Sequence, residues 1–132
     1  MYWLLKSEPS SYSFDDLIRD KTTKWDGVRN YQARNNMKVM HMGDLGFFYH
    51  SAIKEPHIAG MMKVIKLYEP DPTAPHFGYV TVEILRPLKK VITLAQIKNH
   101  KNLQSMPLIK QSRLSVMPVT KEEWEIILGM ES

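Results

Sequence analysis

Side chains that can recognise a flat, hydrogen-bonding ligand are concentrated in the segment WDGVRNYQARN, from Trp25 to Asn35. The indole of Trp25 can stack on a planar ring, an interaction worth about 1–3 kcal/mol per nucleobase. The amide of Asn30 places a donor beside an acceptor, as the edge of a nucleobase does. Arg29 and Arg34 can bind phosphates through their forked guanidinium groups. The composition of this segment therefore favours a binding site for a nucleotide-like ligand.

Structural roles explain the same residues one at a time. Asp26-Gly27 is a turn signal, and Asn30 suits the N-cap of a following helix. Trp25 and Tyr31 can anchor the two ends of a loop in the core. These roles explain poorly why all of these residues occur in one short connector, so both interpretations stay open.

The motifs of common catalytic and cofactor sites are absent from the chain. Its six glycines never take the GxGxxG or GxxxxGK spacing, its five histidines show no HxH or HxxxH spacing, and it has no cysteine. No Gly-x-Ser-x-Gly elbow occurs either. We therefore expect no catalytic residue, no cofactor and no metal site. A Ser–His–Asp arrangement stays open, because it depends on geometry and not on chain order.

Two predicted strands present candidate binding side chains through their alternation. In FFYHS, Phe47, Tyr49 and Ser51 share one face, whereas Phe48 and His50 share the other. We expect one face to be core and the other to offer an aromatic ring with either a hydroxyl or an imidazole. Neighbouring His50 and Ser51 point to opposite faces and cannot pair directly.

The strand RLSVMPV alternates in the same way. Leu114 and Val116 share the core face, and Arg113, Ser115 and Met117 share the opposite one. Arg113 and Ser115 would line a polar pocket if this face pointed into a small barrel. The alternative is an exposed strand face with a surface arginine.

The basic charge is concentrated in one part of the chain. Residues 1–83 carry 10 Lys/Arg and 10 Asp/Glu, whereas residues 84–121 carry 8 Lys/Arg and no acid. This acid-free stretch is typical of a polyanion binder, but a solvated face would have the same composition. With Arg29 and Arg34, the stretch supplies our candidates for contacts to a phosphate backbone: Arg86, Lys89, Lys90 and Lys110.

The predicted elements are short strands with short helices between them. Strand patterns occur in YWLLK, DLGFFYHS, HIAGMMKVIKLYE, FGYVTVEIL and RLSVMPV. Capping-box spacing predicts helices after Ser13, Thr93 and Thr120, and a further helix is expected over Gln32–Val39. The chain is thus predicted to be a mixed α/β, β-rich fold of five or six short strands with four or five short helices in the connections. So many short strands favour a closed or nearly closed barrel.

Three local features carry separate predictions. Three prolines in YEPDPTAP predict a loop at residues 68–75 between two strands. Gly60 indicates a bulge or a tight bend. Gly129 is expected to end the last helix, predicted over Lys121–Leu128.

Length and hydropathy bound the protein class. The 132 residues, 43% of them hydrophobic, are predicted to form one domain over residues 1–132. The N-terminal MYWLLKSEP is neither a signal peptide nor a membrane span, and no apolar run approaches a spanning length. We expect a cytoplasmic protein, with nucleoid association as an option, and no membrane partner.

Four segments resemble the signature segments of the EVE domain, a PUA-related family. They are YWLLKSEPSSYSFDDL, WDGVRNYQARNNM, GDLGFFYHS and RLSVMPVTKEEWEIIL, in the family's order from Tyr2 to Leu128. The resemblance implies a PUA-like pseudo-barrel that is monomeric. It also implies a non-enzymatic reader of nucleic acid with a modified base, chiefly 5-methyl- or 5-hydroxymethylcytosine in DNA, turned out into an aromatic-lined pocket.

The family pattern implies a set of residues at or near that pocket. They are Ser7, Glu8, Trp25, Asn30, Tyr31, Tyr49, His50, Ser51, Arg113 and Ser115. The chain departs from the pattern at Met117, where the family usually has Gln, so position 117 either alters base preference or only packs. It also has a shorter segment before FGYVTVEIL that lacks an expected Trp, for which His76, Phe77 or Tyr79 can substitute.

Three other functions stay open on the sequence. An RNA- or tRNA-binding PUA-like module would use the same charge and stacking, and would prefer a backbone with 2′-hydroxyls. A hydrolase acting on a modified nucleotide would need His50 or Glu8 to reach a serine. A small-molecule or protein-interaction domain would bind without sensitivity to salt.

Overall fold

The computed structural model describes all 132 residues and contains six strands and five helices. The strands are β1 Tyr2–Ser7, β2 Thr22–Lys24, β3 Leu45–His50, β4 His57–Asp71, β5 Ala74–Thr93 and β6 Val116–Val119. The helices are α1 Phe14–Asp20, α2 Tyr31–Lys38, α3 Leu94–Lys98, α4 Pro107–Lys110 and α5 Lys121–Met130, with a 3₁₀ turn at Lys101–Leu103. The predicted β-rich mixed fold is confirmed.

Side-chain caps define where the helices begin. Ser13, Thr93 and Thr120 each form a reciprocal capping box with the residue three positions on. Asn30 caps α2 by accepting a hydrogen bond from the N–H of Ala33 at 2.9 Å. Each cap satisfies backbone donors that have no partner inside the helix.

The strands form one curved sheet in the order β2-β5-β4-β3-β1-β6. Only β1 and β3 pair in parallel; the other neighbours are antiparallel. Helix α2 contacts β6 at one end of this order and also β4 and β5 towards the other end. The helix therefore spans the gap between the two ends, and the sheet is a nearly closed barrel with a seam.

The core runs through the inside of this barrel. A single cluster of 31 buried hydrophobic residues includes Trp3, Phe47, Phe48 and Met62. Both faces of β3 are covered, because Phe47, Phe48 and Tyr49 are all buried. The expectation that one face of FFYHS would be open is therefore wrong. None of the five helices is long and apolar enough to cross a lipid bilayer.

The proline-rich segment is strand for most of its length, contrary to the prediction of a loop. β4 continues to Asp71 and β5 begins at Ala74, so only Pro72 and Thr73 form the turn. β4 and β5 stay paired through the prolines because this end of their hairpin has no third strand. β2 pairs with β5 only at residues 81–83, and the hairpin from there to its turn is a two-stranded ribbon. Each strand of a ribbon has an outer edge, where a proline loses no ladder hydrogen bond.

Two glycines gave predictions with opposite outcomes. At Gly60 the register shifts both in the pairing of β4 with β3 and in its pairing with β5. A Cβ at this position would be 2.1 Å from Cζ of Phe14. The predicted bulge is confirmed, and the glycine also admits the Phe14 ring. Gly129 does not end α5, which continues to Met130 and is capped by Glu131. The helix is held there because Arg86 and the N–H of Lys89 bind the Glu131 carboxylate.

Candidate nucleic-acid interface

A cavity of about 530 Å³ lies in the seam of the barrel. It is lined by the end of β1, by β2, by the connector from Trp25 to Asn30 and by Ser115 just before β6. β2 and β6 are the two ends of the strand order, so the cavity forms where these ends approach each other. Its volume is typical of a site for a small planar ligand.

Trp25 forms one wall of the cavity and is also part of the core. The side chain is only 6% exposed, and its ring meets Phe48 almost edge-on, with centroids 5.2 Å apart. The core-anchor interpretation of this tryptophan is confirmed, and the residue also lines the cavity. Its indole N–H has no hydrogen-bond partner in the protein, yet it is not sealed from solvent. The N–H is thus a donor without a partner in the protein.

The fold commits some atoms of the lining residues and leaves others free. The Ser7 hydroxyl donates to the carbonyl of Tyr12 at 2.5 Å, so towards the cavity it can only accept. The Oδ1 of Asn30 caps α2, so its free group is the Nδ2 amide, a donor. The Glu8 carboxylate is exposed and forms no salt bridge or side-chain hydrogen bond. The lining residues therefore offer unpaired donors and unpaired acceptors, and recognition of a nucleobase edge requires both.

Lys6 supplies a half-buried cation at the base of the cavity. Its Nζ donates to the carbonyl of Ser112 at 2.9 Å and lies 5.8 Å from the ring centroid of Tyr49. Burial lowers the pKa of Lys6. Burial also raises the pKa of Tyr49 to about 12, so the phenol beneath the lysine stays neutral. Lys6 keeps spare N–H groups for an acceptor in the cavity.

Two further cations stand at the rim and are supported by aromatic rings. Nζ of Lys24 lies 5.0 Å from the ring centroid of Tyr79, and Cζ of Arg29 lies 5.4 Å from that of Phe77. Both rings belong to the two-stranded end of the β4–β5 hairpin. The connector also contains Asp26, whose carboxylate forms no salt bridge with Lys24 or Arg29. The rim can therefore meet the anionic backbone of a nucleic acid.

The structure brings together five of the ten residues that the resemblance assigned to a pocket: Ser7, Glu8, Trp25, Asn30 and Ser115. The other five, Tyr31, Tyr49, His50, Ser51 and Arg113, do not line the cavity. Tyr31 is 56% exposed and packs on Phe77, with centroids 5.1 Å apart. Tyr49 is buried beneath Lys6, and the backbone N–H of Ser51 donates to the Ser7 carbonyl at 2.9 Å. Tyr49 and Ser51 thus support residues of the cavity.

His50 has a structural role at the start of α1. Its Nε2 accepts from the N–H of Phe14 at 3.0 Å, and its Nδ1 is 3.1 Å from Nε2 of His57. Nδ1 of His57 is 2.9 Å from the carbonyl oxygen of Glu55. Because His50 Nε2 accepts, its proton is on Nδ1, and each ring passes a hydrogen bond to the next group. Burial, and then the neighbouring His57, lower the pKa of His50.

The residues assigned to the phosphate backbone lie in different parts of the surface. Arg29 lines the cavity, and Lys110 lines a separate groove that also contains Arg113. Arg34 donates to the carbonyl of His76 and to Oδ1 of Asn35. Lys89 and Lys90 are exposed and line neither cavity nor groove.

Arg86 is already paired within the protein. Its guanidinium makes a bidentate contact to the carboxylate of Glu131, at 2.8 and 2.7 Å. This contact, with the N–H of Lys89, lowers the pKa of Glu131 to about 2. Arg86 therefore holds the end of α5 and is not free for a phosphate.

Sequence reasoning missed more than half of the cavity lining: Lys6, Ser11, Tyr12, Thr23, Lys24, Asp26, Gly27 and Val28. One signal was present for Lys6, a charged residue directly after the apolar run of β1. Thr23 and Lys24 lie in β2, whose three residues carry no strand pattern of their own. Met117 is fully buried and lines neither cavity, so position 117 packs. No three His, Asp or Glu side chains converge to hold a metal ion.

Comparison with known proteins identifies the family. The EVE domain model matches residues 1–130. Thymocyte nuclear protein 1 from Homo sapiens is 39% identical over 165 residues, which cover 98% of this chain and 73% of that protein. The alignment is longer than the 132-residue chain, so the relative has insertions that this chain lacks.

Solved structures agree with this assignment. A protein from Pseudomonas syringae is 42% identical, with a TM-score of 0.95 over 100% of both chains. The human THYN1 protein, solved in complex with DNA containing 5-methylcytosine, is 36% identical, with a TM-score of 0.93 over 99% of this chain and 97% of that one. With the seam cavity and its connector in place, the match over nearly the whole length shows that this chain is a member of the EVE domain family, with its PUA-like fold.

Proposed function

We propose that this protein is a non-enzymatic reader that binds DNA carrying 5-methyl- or 5-hydroxymethylcytosine, with the base turned out into the seam cavity. The observation that carries the proposal is the wall formed by Trp25 beside free donors and acceptors in a cavity of about 530 Å³. The related human protein has been solved in complex with DNA containing 5-methylcytosine, which supports the same ligand class.

The free polar groups suit cytosine in particular. Its exocyclic amine donates N–H groups, and the unpaired carboxylate of Glu8 can accept a hydrogen bond from one of them. The other atoms of its pairing edge are acceptors, and Lys6, Asn30 and the Trp25 N–H provide donors. Thymine and uracil have a carbonyl where cytosine has the amine, so Glu8 disfavours them.

Energies show what the cavity must supply. Extruding a base costs a few kcal/mol. Stacking returns about 1–3 kcal/mol, and the hydrogen bonds and phosphate contacts must supply the remainder. One buried methyl group contributes about 0.8 kcal/mol, which is roughly a fourfold preference. Stronger selectivity requires that the cavity be shaped around the modified base.

The contacts of the candidate catalytic groups support a binding role. His50 is occupied by Phe14 and His57, and neither His50 nor Glu8 forms a hydrogen bond with a serine hydroxyl. The Ser7 hydroxyl donates to a backbone carbonyl, which gives it no general base. Binding without turnover is the activity that these contacts support.

Titration of matched oligonucleotides tests the proposal. Labelled duplexes containing cytosine, 5-methylcytosine or 5-hydroxymethylcytosine are followed by fluorescence anisotropy at two salt concentrations. We expect salt-sensitive binding with a clear preference for one modified base. Equal weak affinity for all three would refute DNA-cytosine reading, and tighter binding to an RNA strand of the same sequence would establish the RNA-binding alternative.

Trp25→Phe tests the wall in the same titration. A phenyl ring keeps part of the stacking but removes the free indole N–H, so we expect about tenfold weaker binding to the preferred base. Trp124→Phe is the matched control, because Trp124 is buried against Phe47 away from the cavity. Thermal unfolding of both variants separates lost recognition from lost folding. Unchanged affinity in Trp25→Phe would remove the N–H from the proposed contacts.

A further inference from the structure

A second groove of about 320 Å³ lies next to the seam cavity. Its lining consists of Asn30, Gln32, Lys110, Gln111, Ser112, Arg113 and Leu114. Most of these residues follow α4 and lead towards β6. The resemblance assigned Arg113 to the base pocket, and the charge pattern assigned Lys110 to the phosphate backbone. The structure instead places both in this separate groove.

The chemistry of the groove favours an anion. Lys110 and Arg113 are both exposed, and neither forms a salt bridge or a side-chain hydrogen bond. The side chains of Gln32 and Gln111 also lack partners in the protein. No acid lines the groove, whereas Glu8 and Asp26 line the seam cavity. Two free cations beside neutral donors suit a phosphate group.

The groove and the seam cavity adjoin each other. Asn30 lines both of them. Lys6 lines the seam cavity and binds the carbonyl of Ser112, which lines the groove. Along the chain, Arg113 and Leu114 line the groove and Ser115, the next residue, lines the cavity. Because the two linings meet at these residues, a ligand longer than one nucleotide can occupy the cavity and the groove together.

We propose that this groove binds the phosphodiester group next to the base held in the seam cavity, with Lys110 and Arg113 as its cationic contacts. The inference rests on the proposed function and adds to it that the base is recognised as part of a polynucleotide. The donor set beside the phosphate then places the strand in one register, so that one base and not its neighbour enters the cavity.

Neutral backbone linkages test the inference directly. The probes are the short duplexes used above, with one modified cytosine, in which a methylphosphonate replaces the phosphodiester on its 5′ side, on its 3′ side or four nucleotides away in the same strand. In the unmodified protein, we expect one flanking replacement to weaken binding about tenfold and the distant one to have little effect.

The double variant Lys110→Gln with Arg113→Gln is combined with the methylphosphonate probes in a double-mutant cycle. We expect it to bind the all-phosphodiester oligonucleotide about tenfold more weakly, and to become insensitive to the flanking methylphosphonate, because both changes remove the same contact. Lys98→Gln with Lys101→Gln is the matched control: it removes the same charge from exposed sites that line neither cavity nor groove. Additive reductions in affinity from the double variant and the flanking linkage would overturn the inference.

An abasic oligonucleotide separates the two proposals. If the protein shows no preference for a modified base, but the double variant still weakens abasic binding more than the control does, base reading fails and the phosphate site stands. If base preference is present but neither flanking linkage matters, the groove inference fails alone. If the protein binds none of the oligonucleotides, both are overturned.

Discussion

Several single residues use one side-chain atom to stabilise the fold and leave another atom without a partner in the protein. Asn30 caps α2 with Oδ1 and keeps Nδ2 free, and Ser7 donates its proton to Tyr12 and keeps its lone pairs. Trp25 packs on Phe48 but has a free N–H. The choice between a structural and a binding role is therefore not exclusive, and each atom must be considered separately.

Asn30→Asp tests this division within one side chain. Aspartate is as good an N-cap as asparagine, so the melting temperature should change little. The free donor becomes a negatively charged acceptor, and we expect at least about tenfold weaker binding of the preferred oligonucleotide. Anisotropy titration and thermal unfolding are measured on the same sample. A variant that binds normally would show that Asn30 only caps the helix.

At the scale of elements, α1 is held against the sheet by the histidine pair. Phe14, the first residue of α1, donates its N–H to His50 at the end of β3, and His50 in turn contacts His57 at the start of β4. The Phe14 ring occupies the space above Gly60. The carboxylate of Asp15 raises the pKa of His50, but this effect is smaller than the lowering by burial and by His57. Ser7, at the end of the parallel partner strand, binds the carbonyl of Tyr12, so α1 and the cavity share supports.

From this arrangement we expect the stability of the fold to depend on pH. The pKa of His50 is below its ordinary value of 6.5, so the unfolded chain takes up a proton at a higher pH than the folded one. The stabilisation by neutral His50 is fully present above pH 6.5 and is lost as the pH falls through the pKa of His50 in the folded protein. We expect the free energy of unfolding in urea to decrease from about pH 7.5 to about pH 5.

His50→Gln should flatten this dependence, because the amide can still accept an N–H but does not titrate. His76→Gln is the control, since the His76 side chain is exposed and makes no hydrogen bond. If the slope between pH 7.5 and 5 is the same in all three proteins, His50 is not the group responsible.

At the scale of the whole molecule, charge in the sequence and charge at the site are distributed differently. The acid-free stretch contributes Lys110 and Arg113 to the groove, but Arg86 is paired with Glu131, and Lys89 and Lys90 lie elsewhere on the surface. The rim of the seam cavity instead uses Lys24 and Arg29 from the charge-balanced part of the chain. Folding has therefore changed which cations can act together.

Salt dependence distinguishes these cations. Lys24→Gln with Arg29→Gln should lower the slope of log affinity against log salt by about 2, because each phosphate that the protein no longer neutralises lowers it by roughly 0.9. Lys89→Gln with Lys90→Gln removes the same charge from outside the cavity and should change the slope much less. Equal changes in the two double variants would support the sequence-based prediction that Lys89 and Lys90 contact the backbone.

Much of the fold was predictable because its signals are local. The three capping boxes, the N-cap at Asn30 and the alternating apolar residues of β5 depend on neighbours a few positions away. β2 was missed because its three residues are strand only through pairing with residues 81–83. The helix continued past Gly129 because Arg86, distant in sequence, binds Glu131.

Most of the elements, the family and the connector that contributes Trp25 and Asn30 were predictable, because each depends on residue type and short spacing. The tertiary structure brings together five of the ten proposed pocket residues. It placed Lys6, Lys24 and Tyr12 in the cavity, and it directed His50 to α1 and Arg113 to a separate groove. Local patterns could not predict this, because the two ends of the strand order are far apart in sequence and only the closure of the sheet brings their side chains into one cavity.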